Sequence, residues 1–313
     1  MSALLDAYNT IIPVLLFLLA GYLTQKSKLV PEVYWTYFNR ILYHVFLPCT
    51  LFKNIYLANN NSDTPTRLIV FALAVTLGTF MILMLTISFF TKDNRRKGVY
   101  VQAIFRGNFL SMGLPILSNL YGEIGMITIG LQVAIIIPLY NILAVIGLEW
   151  FRKAGINVKG LFMDLVRNPF MIVSFAALLL RIFNLTLPSQ IYSCVDTFGT
   201  IATTLALFVL GGSFKFTQLK DNLWPVMITT FIKLIGMPFA VMVISILAGF
   251  RDVELACILV MVGSSTAVAS YAMCQQMGAD DVLANQIVVV TTATCILTQF
   301  VWIFALRYLG FML

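Results

Sequence analysis

Apolar residues run along this chain in long blocks, and the short stretches between them collect its lysines and arginines. A helix needs about 20 mostly apolar residues to cross the hydrocarbon of a bilayer. Ten blocks approach that length: 8–24, 33–56, 68–90, 98–121, 125–151, 161–183, 191–214, 223–249, 253–277 and 282–308. The pattern predicts an all-α integral membrane protein of ten transmembrane helices joined by short loops.

Two of the blocks carry a polar interruption. The fourth contains Phe105-Arg106-Gly107-Asn108-Phe109-Leu110-Ser111-Met112-Gly113-Leu114-Pro115-Ile116, and the ninth contains Gly263-Ser264-Ser265-Thr266-Ala267-Val268-Ala269-Ser270. Inside hydrocarbon an unsatisfied backbone group costs several kcal/mol, so a broken helix survives only where protein or a cavity covers it. Gly107 and Gly263 lie half a chain length apart (263 − 107 = 156), and Gly122/Gly278 and Pro13/Pro169 share that offset. The expectation is therefore two five-helix repeats, 1–155 and 156–313, each supplying one broken helix, in one membrane-embedded unit.

Loop charge sets the orientation. Lys26 and Lys28 follow span one; Lys92, Arg95, Arg96 and Lys97 follow span three. Arg152, Lys153 and Lys159 follow span five, and Lys215 and Lys220 follow span seven. The other side carries little more than Arg67, Arg181, Arg251 and Arg307. By the positive-inside rule the rich side is cytoplasmic and both termini are extracytoplasmic. Five spans per repeat is an odd number, so the repeats insert in opposite senses.

Composition narrows the class. Hydrophobic residues make up 60% of the chain and charged residues 11%, far from the roughly 25% charged of soluble domains. The net charge of +7 sits between apolar spans, which argues for a lipid bilayer as partner and against nucleic acid. The five cysteines lack metal or redox spacing and read as buried thiols. Asp6 stands where a cleaved signal would be basic, and Lys26 and Lys28 follow the first apolar run rather than precede it. No metal, cofactor or enzyme motif is present: one histidine cannot form a His-x-x-His site, Asp280-Asp281 has no second acidic motif, and no phosphate-binding loop occurs.

The interrupted spans carry the candidate chemistry. Gly113 and Pro115 predict a half-helix starting near Leu114, since proline suits a first helical turn. Ser264, Ser265 or Thr266 is expected to cap a second half-helix starting near Ala267. In inverted repeats the two N-termini converge, each with roughly half a positive charge, and favour an anion such as a carboxylate. Asn108, Ser111, Ser264, Ser265 and Thr266 add polar groups to orient it; close packing of small residues is the plainer reading of the serines. Arg106 either holds the anion or binds backbone carbonyls. Lys233, central in span eight, is expected to meet the carbonyl ends of the broken helices in place of a sodium ion. His44, in span two, is either a proton carrier or a hydrogen-bonded structural histidine. No Asp or Glu occupies a clear mid-span position.

Phe105-Arg106-Gly107-Asn108-Phe109 with Gly113-Leu114-Pro115-Ile116 resembles the signature of the auxin efflux carrier family, including its bacterial organic-acid permeases. Phe46-Leu47-Pro48, 205–211, Lys233 with Pro238, 276–280 and Val290-Thr291-Thr292 extend the likeness across the chain. The resemblance implies spans four and nine crossing at the solute site. It also implies a scaffold from spans one, two, six and seven, and a moving part from three to five and eight to ten. It implies small organic anions, mono- or dicarboxylates, as cargo at the plasma membrane, with a homodimer left open. Ser264-Ser265-Thr266 stands where many members have proline. The rival classes are a cation/proton exchanger of the same plan and an acid-binding channel or sensor.

Overall fold

The computed structural model of the chain describes residues 13, 16–56, 66–152, 167–183, 185–214 and 219–312. Helix α1 covers 16–26. α2 (Glu32–Ile41) runs through a π turn (Leu42–Phe46) into α3 (Leu47–Tyr56). α4 (Thr66–Phe90) is followed by α5 (Asn94–Phe105) and α6 (Phe109–Arg152). The second half holds α7 (Pro169–Ile182), α8 (Ser189–Ser213) and α9 (Leu223–Phe231). A second π turn (Ile232–Gly236) leads into α10 (Met237–Leu247). α11 (Asp252–Gly263), α12 (Ala269–Gln276) and α13 (Asp281–Tyr308) complete it.

Local chemistry sets the ends. Asp93 accepts from Arg95 N–H at 2.9 Å and starts α5; Asp280 accepts from Leu283 N–H at 3.0 Å and starts α13. Asn168 accepts from Phe170 N–H at 2.9 Å, with Pro169 at the first position of α7. These caps satisfy N–H groups that have no partner inside their own helix. The two glycines one half-chain apart play the same part: Gly122 (φ +60°) turns the chain inside α6, and Gly278 (φ +72°) ends the helix before α13. Both φ values lie where side chains with a Cβ are strained.

The π turns precede Pro48 and Pro238. Proline has no N–H for the carbonyl four residues back, and a widened turn absorbs the mismatch. For Pro238 that carbonyl is Leu234 O, and it accepts the indole N–H of Trp302 at 3.1 Å.

Among the described residues, four helices are long and apolar enough to cross a membrane: Thr66–Phe90, Ile116–Arg152, Ser189–Ser213 and Lys220–Leu247. Asp281–Cys295 with Leu297–Tyr308, bent by 43°, makes a fifth if taken as one span. Of the other expected spans, those at α5/α6 and α11/α12 are interrupted. The expected repeat boundary at 155/156 and the first parts of spans one and six lie outside the described residues.

Packing sorts the helices into two groups. α3 lies against α7 and α8, with α2 on α8. α1 joins this group by close backbone approach, Gly21 against Phe208 O and Gly211 against Leu18 O, as small residues permit between membrane helices. The other group centres on α11, whose residues Leu255 to Gly263 are all buried, packed on α6 and α10, with α5 on α4 and α6 and α12 on α13. An apolar helix with no polar face belongs inside a bundle.

Candidate functional site

The breaks in α5/α6 and α11/α12 meet. Arg106 (φ −97°, ψ 112°) and Ser264 (φ −68°, ψ 160°) leave their helices in extended conformation. Gly107 and Thr266 then pair as an antiparallel bridge. Asn108 N–H donates to Ser265 O at 2.8 Å, and Ala267 N–H donates to Arg106 O at 3.4 Å. Each break supplies the backbone partners that the other has lost, which is what permits two broken helices in an apolar interior. A Cβ on Gly107 would run into Ser264 Oγ and Met261 O, so only glycine lets the strands approach this closely.

The location of the first break differs from the expectation. The helix restarts at Phe109, so Ser111, Gly113 and Pro115 lie within α6 and not at the interruption. The pairing with 265–267 fixes which residues are extended, and Pro115 lies beyond its reach. Gly113 is buried against Ile129 and Val260; the side chains of Ser111 and Pro115 lie outside the described residues. The second break falls at the expected serines, but α12 starts at Ala269 after Val268, with no side-chain cap. Ser264, Ser265 and Thr266 are buried. Two of their hydroxyls serve the opposite end: Thr266 Oγ1 donates to Ala103 O at 2.8 Å and Ser264 Oγ to Met261 O at 3.4 Å. Thr291 Oγ1 accepts from Thr266 N–H at 3.2 Å.

On one side of the crossing lies a cavity of about 100 Å³. Both restarting helices open onto it, through Asn108, Phe109 and Leu110 from α6 and Ala267, Val268 and Ala269 at the start of α12. Its far wall comes from the other helix group: Thr50 and Asn54 on α3, Phe170 on α7, Thr203 and Ala206 on α8. No Asp or Glu is among the lining residues.

Arg106 also lines the cavity and is 5% exposed. Its guanidinium donates to Asn141 Oδ1 at 2.5 Å, to Gln102 Oε1 at 3.4 Å and to Met273 Sδ at 2.8 Å. Asn141 is itself held by donating to Ile137 O at 2.9 Å. The three guanidinium partners are all side-chain atoms. Among the described residues no carboxylate forms an ion pair with it. Tyr140 packs edge-on against Phe105 and Phe109, at 5.6 and 5.9 Å between ring centroids, and closes the wall beside Arg106.

Two expected residues lie off the cavity. His44 is exposed on the outer face of the α2–α3 rod, its Nδ1 2.9 Å from Arg40 O. It sits on the side of the π turn opposite buried Leu42 and Tyr43. Lys233 is fully buried and does not line the cavity, although a Cβ on Gly107 would stand 3.5 Å from its Nζ. The reading from sequence did not single out Thr50, Asn54, Asn141 or Thr203. The available signal was an isolated amide or hydroxyl within an apolar span, such as Asn141 after Tyr140 in span five.

A family model described as Membrane transport protein matches residues 6–159 and, a second time, residues 156–303. The chain belongs to the membrane transport family that includes the auxin efflux carrier type proteins. It is a multi-pass membrane transporter, and one family model fits each half in turn. No curated protein matches the chain. Family membership gives the crossing a context, because solute sites of carriers built from repeats are formed by discontinuous helices.

Proposed function

We propose that the protein is a secondary carrier for a small organic anion, a mono- or dicarboxylate, bound in the cavity beside the crossing. The observation that carries this reading is Arg106: a buried guanidinium lining the cavity where two helices begin, with no acidic partner among the described residues. Buried charges are normally paired, and an anionic solute supplies the missing charge. Two helix N-termini add roughly half a positive charge each at the same place. Asn108 and Asn141 offer amides, and a guanidinium fork suits a carboxylate.

On this reading ten spans form two inverted five-helix repeats in the plasma membrane, with both termini extracytoplasmic. The group around α3 and α8 is a scaffold, and the group holding the crossing slides along it as an elevator. The cavity between the groups, with walls from each, supports that division. A cation/proton exchanger would want carboxylates where the lining residues provide none.

The test is uptake and counterflow in proteoliposomes with radiolabelled acetate, lactate, malonate and malate, with and without sodium and pH gradients. Saturable exchange of at least one carboxylate is expected. Uptake without counterflow would favour a channel, and exchange of sodium for protons with no carboxylate movement would replace the reading with an exchanger.

A further inference from the structure

At the basic end of the crossing group, the start of α5, the end of α6 and the turn between α12 and α13 enclose another cavity, of about 130 Å³. Close packing sets its floor: a Cβ on Gly98 of α5 would stand 2.9 Å from Leu148 Cδ2 of α6. Phe151 and Met277 add apolar wall, while Asn94, Arg95 and Arg152 supply the polar side. No Asp or Glu is among the lining residues. Trp150 is exposed beside Phe151, and Phe89 and Phe90 are exposed at the end of α4. Apolar and basic surface therefore adjoin, as they do at the level of lipid headgroups.

Arg95 is exposed but held in place. Its guanidinium donates from Nε to Gly278 O and from Nη2 to Ala279 O, each at 3.3 Å, and its own carbonyl accepts from Asp280 N–H at 3.1 Å. Gly278, at φ +72°, turns the chain so that both carbonyls reach it. Carbonyl bonds fix the fork, leave its charge uncancelled, and use two of the five N–H groups that a guanidinium carries. The carboxylates nearby have other partners. Asp280 Oδ2 accepts from Arg96 Nε at 3.0 Å, and Asp93 Oδ2 lies 3.6 Å from the same nitrogen. Glu149 pairs with Arg152 at 2.7 Å, and Asp281 accepts from Gln275 at 3.1 Å. Lys97 Nζ stands 5.7 Å from the centroid of the Phe151 ring, on the cavity wall. Among the described residues no carboxylate forms an ion pair with Arg95 or Lys97.

We infer that this cavity binds the phosphate of an anionic phospholipid, with Arg95 and Lys97 meeting its charge and Phe151 and Met277 taking the apolar part of the lipid beside it. Basic pockets between membrane helices at the cytoplasmic face bind such headgroups, and the proposed orientation puts this end there. A fork already held by two carbonyls gives up little freedom when a phosphate arrives, and the bonds it makes are charge-assisted. The bound headgroup touches α5 and α6 from the first half of the chain and the 277–279 turn from the second. It ties the two halves together at the outer ends of both broken spans. The inference needs a bilayer around the chain and does not depend on what the carrier moves.

The experiment uses the full chain, delipidated in detergent and titrated with short-chain phosphatidylglycerol, short-chain phosphatidylcholine, or glycerol phosphate, the headgroup without its acyl chains. Thermal unfolding is followed, and bound lipid is counted by native mass spectrometry. Phosphatidylglycerol is expected to raise the melting temperature by several degrees and to remain as one bound copy. Phosphatidylcholine, whose phosphate charge is cancelled by choline, and glycerol phosphate are expected to do much less. Arg95→Gln and Lys97→Gln should each bind phosphatidylglycerol about tenfold more weakly, the loss of one charge-assisted bond. Lys26→Gln, a loss of the same charge at the end of α1 in the other helix group, should bind as wild type does. The readout is the increment that lipid adds, so a lower starting melting temperature in a variant does not obscure it. If Arg95→Gln cannot be isolated folded, Lys97→Gln carries the test. Equal increments from phosphatidylglycerol and phosphatidylcholine, or wild-type binding by the pocket variants, would overturn the inference. So would a loss in Lys26→Gln as large as theirs. Glycerol phosphate acting as strongly as phosphatidylglycerol would overturn the lipid and leave a site for a soluble phosphate. Every readout is binding, so a failure of carboxylate exchange, which would refute the carrier reading, leaves this result standing.

Discussion

Arg106 and Gly107 are adjacent in sequence and do opposite jobs. Arg106 brings charge to the cavity wall, and Gly107 brings nothing, so that two backbones can touch. A charge-assisted hydrogen bond contributes about 1.5–3 kcal/mol, and 1.4 kcal/mol is about tenfold in affinity. On the anion-carrier reading, Arg106→Gln should therefore weaken carboxylate binding by about ten- to a hundredfold, read by isothermal titration or by the half-saturation of exchange. Arg106→Lys should not restore full affinity, because the ammonium cannot hold Asn141 and Gln102 in a fork while also meeting a carboxylate. Unchanged affinity in Arg106→Gln would remove the guanidinium from the site. At Gly107 the added methyl of Gly107→Ala meets Met261 O at 2.6 Å. Overpacking of this kind costs about 1–3 kcal/mol, so a lower melting temperature is expected, with the bridge to Thr266 loosened. A variant that melts like wild type would mean that the strands can separate freely. These two residues also show how far a sequence reports a site. An Arg-Gly-Asn triplet inside an apolar span announces a break, because each residue disfavours an uninterrupted membrane helix there. Pro115 gave the more conspicuous signal and drew the expected break a turn or two too far along. Which residues become extended depends on the partner strand at 265–267, and no local signal carries that. Thr50, Asn54 and Thr203 were illegible for the same reason: singly each is an ordinary polar residue in a helix, and only packing brings them around one cavity.

At the scale of helices, interruptions divide into two kinds with different remedies. The breaks at 106–108 and 264–268 exchange backbone hydrogen bonds with each other. The π turns before Pro48 and Pro238 remain within their rods, and the carbonyl that Pro238 leaves open is satisfied by Trp302. Trp302→Phe keeps the ring and deletes the donor, leaving Leu234 O without that bond. The loss of such a bond is worth about 1–3 kcal/mol when the group stays buried, so the variant should melt several degrees lower in detergent. If it melts like wild type, water reaches Leu234 O and the indole is not what holds the turn. The sequence made the segments plain, since apolar blocks and glycines at 122 and 278 mark where helices run and turn. It left their joining open, because the bond from α13 to the second π turn spans 68 residues.

For the whole molecule, the proposed mechanism needs the two helix groups to slide, and a seam away from the cavity tests this. Asn39 on α2 donates from Nδ2 to Gln275 Oε1 at 2.7 Å, and Gln275 donates in turn to Tyr271 Oη and to Asp281 Oδ2, each at 3.1 Å. Asn285 on α13 donates to Leu210 O of α8 at 3.0 Å. These polar contacts join the group around α3 and α8 to the group carrying the crossing. They lie toward the ends of α2 and α8 that are cytoplasmic on the proposed orientation, while Asn54 and Thr203 face the cavity farther along the same rods. A closed seam on one side of a solute cavity fits one end state of an alternating cycle. Opening it requires Asn39 and Gln275 to part, so a covalent tie between them should stop the cycle without touching the cavity. With Cys49, Cys194, Cys257, Cys274 and Cys295 replaced, the pair Asn39→Cys and Gln275→Cys should be bridged by a short bifunctional maleimide. Exchange of the transported carboxylate is expected to fall with the bridged fraction, while equilibrium binding from the open side persists. Each single-cysteine variant treated with the same reagent should keep exchanging. Full exchange in fully bridged protein would show that the groups keep their places during transport, and the motion would then have to lie within the crossing group alone.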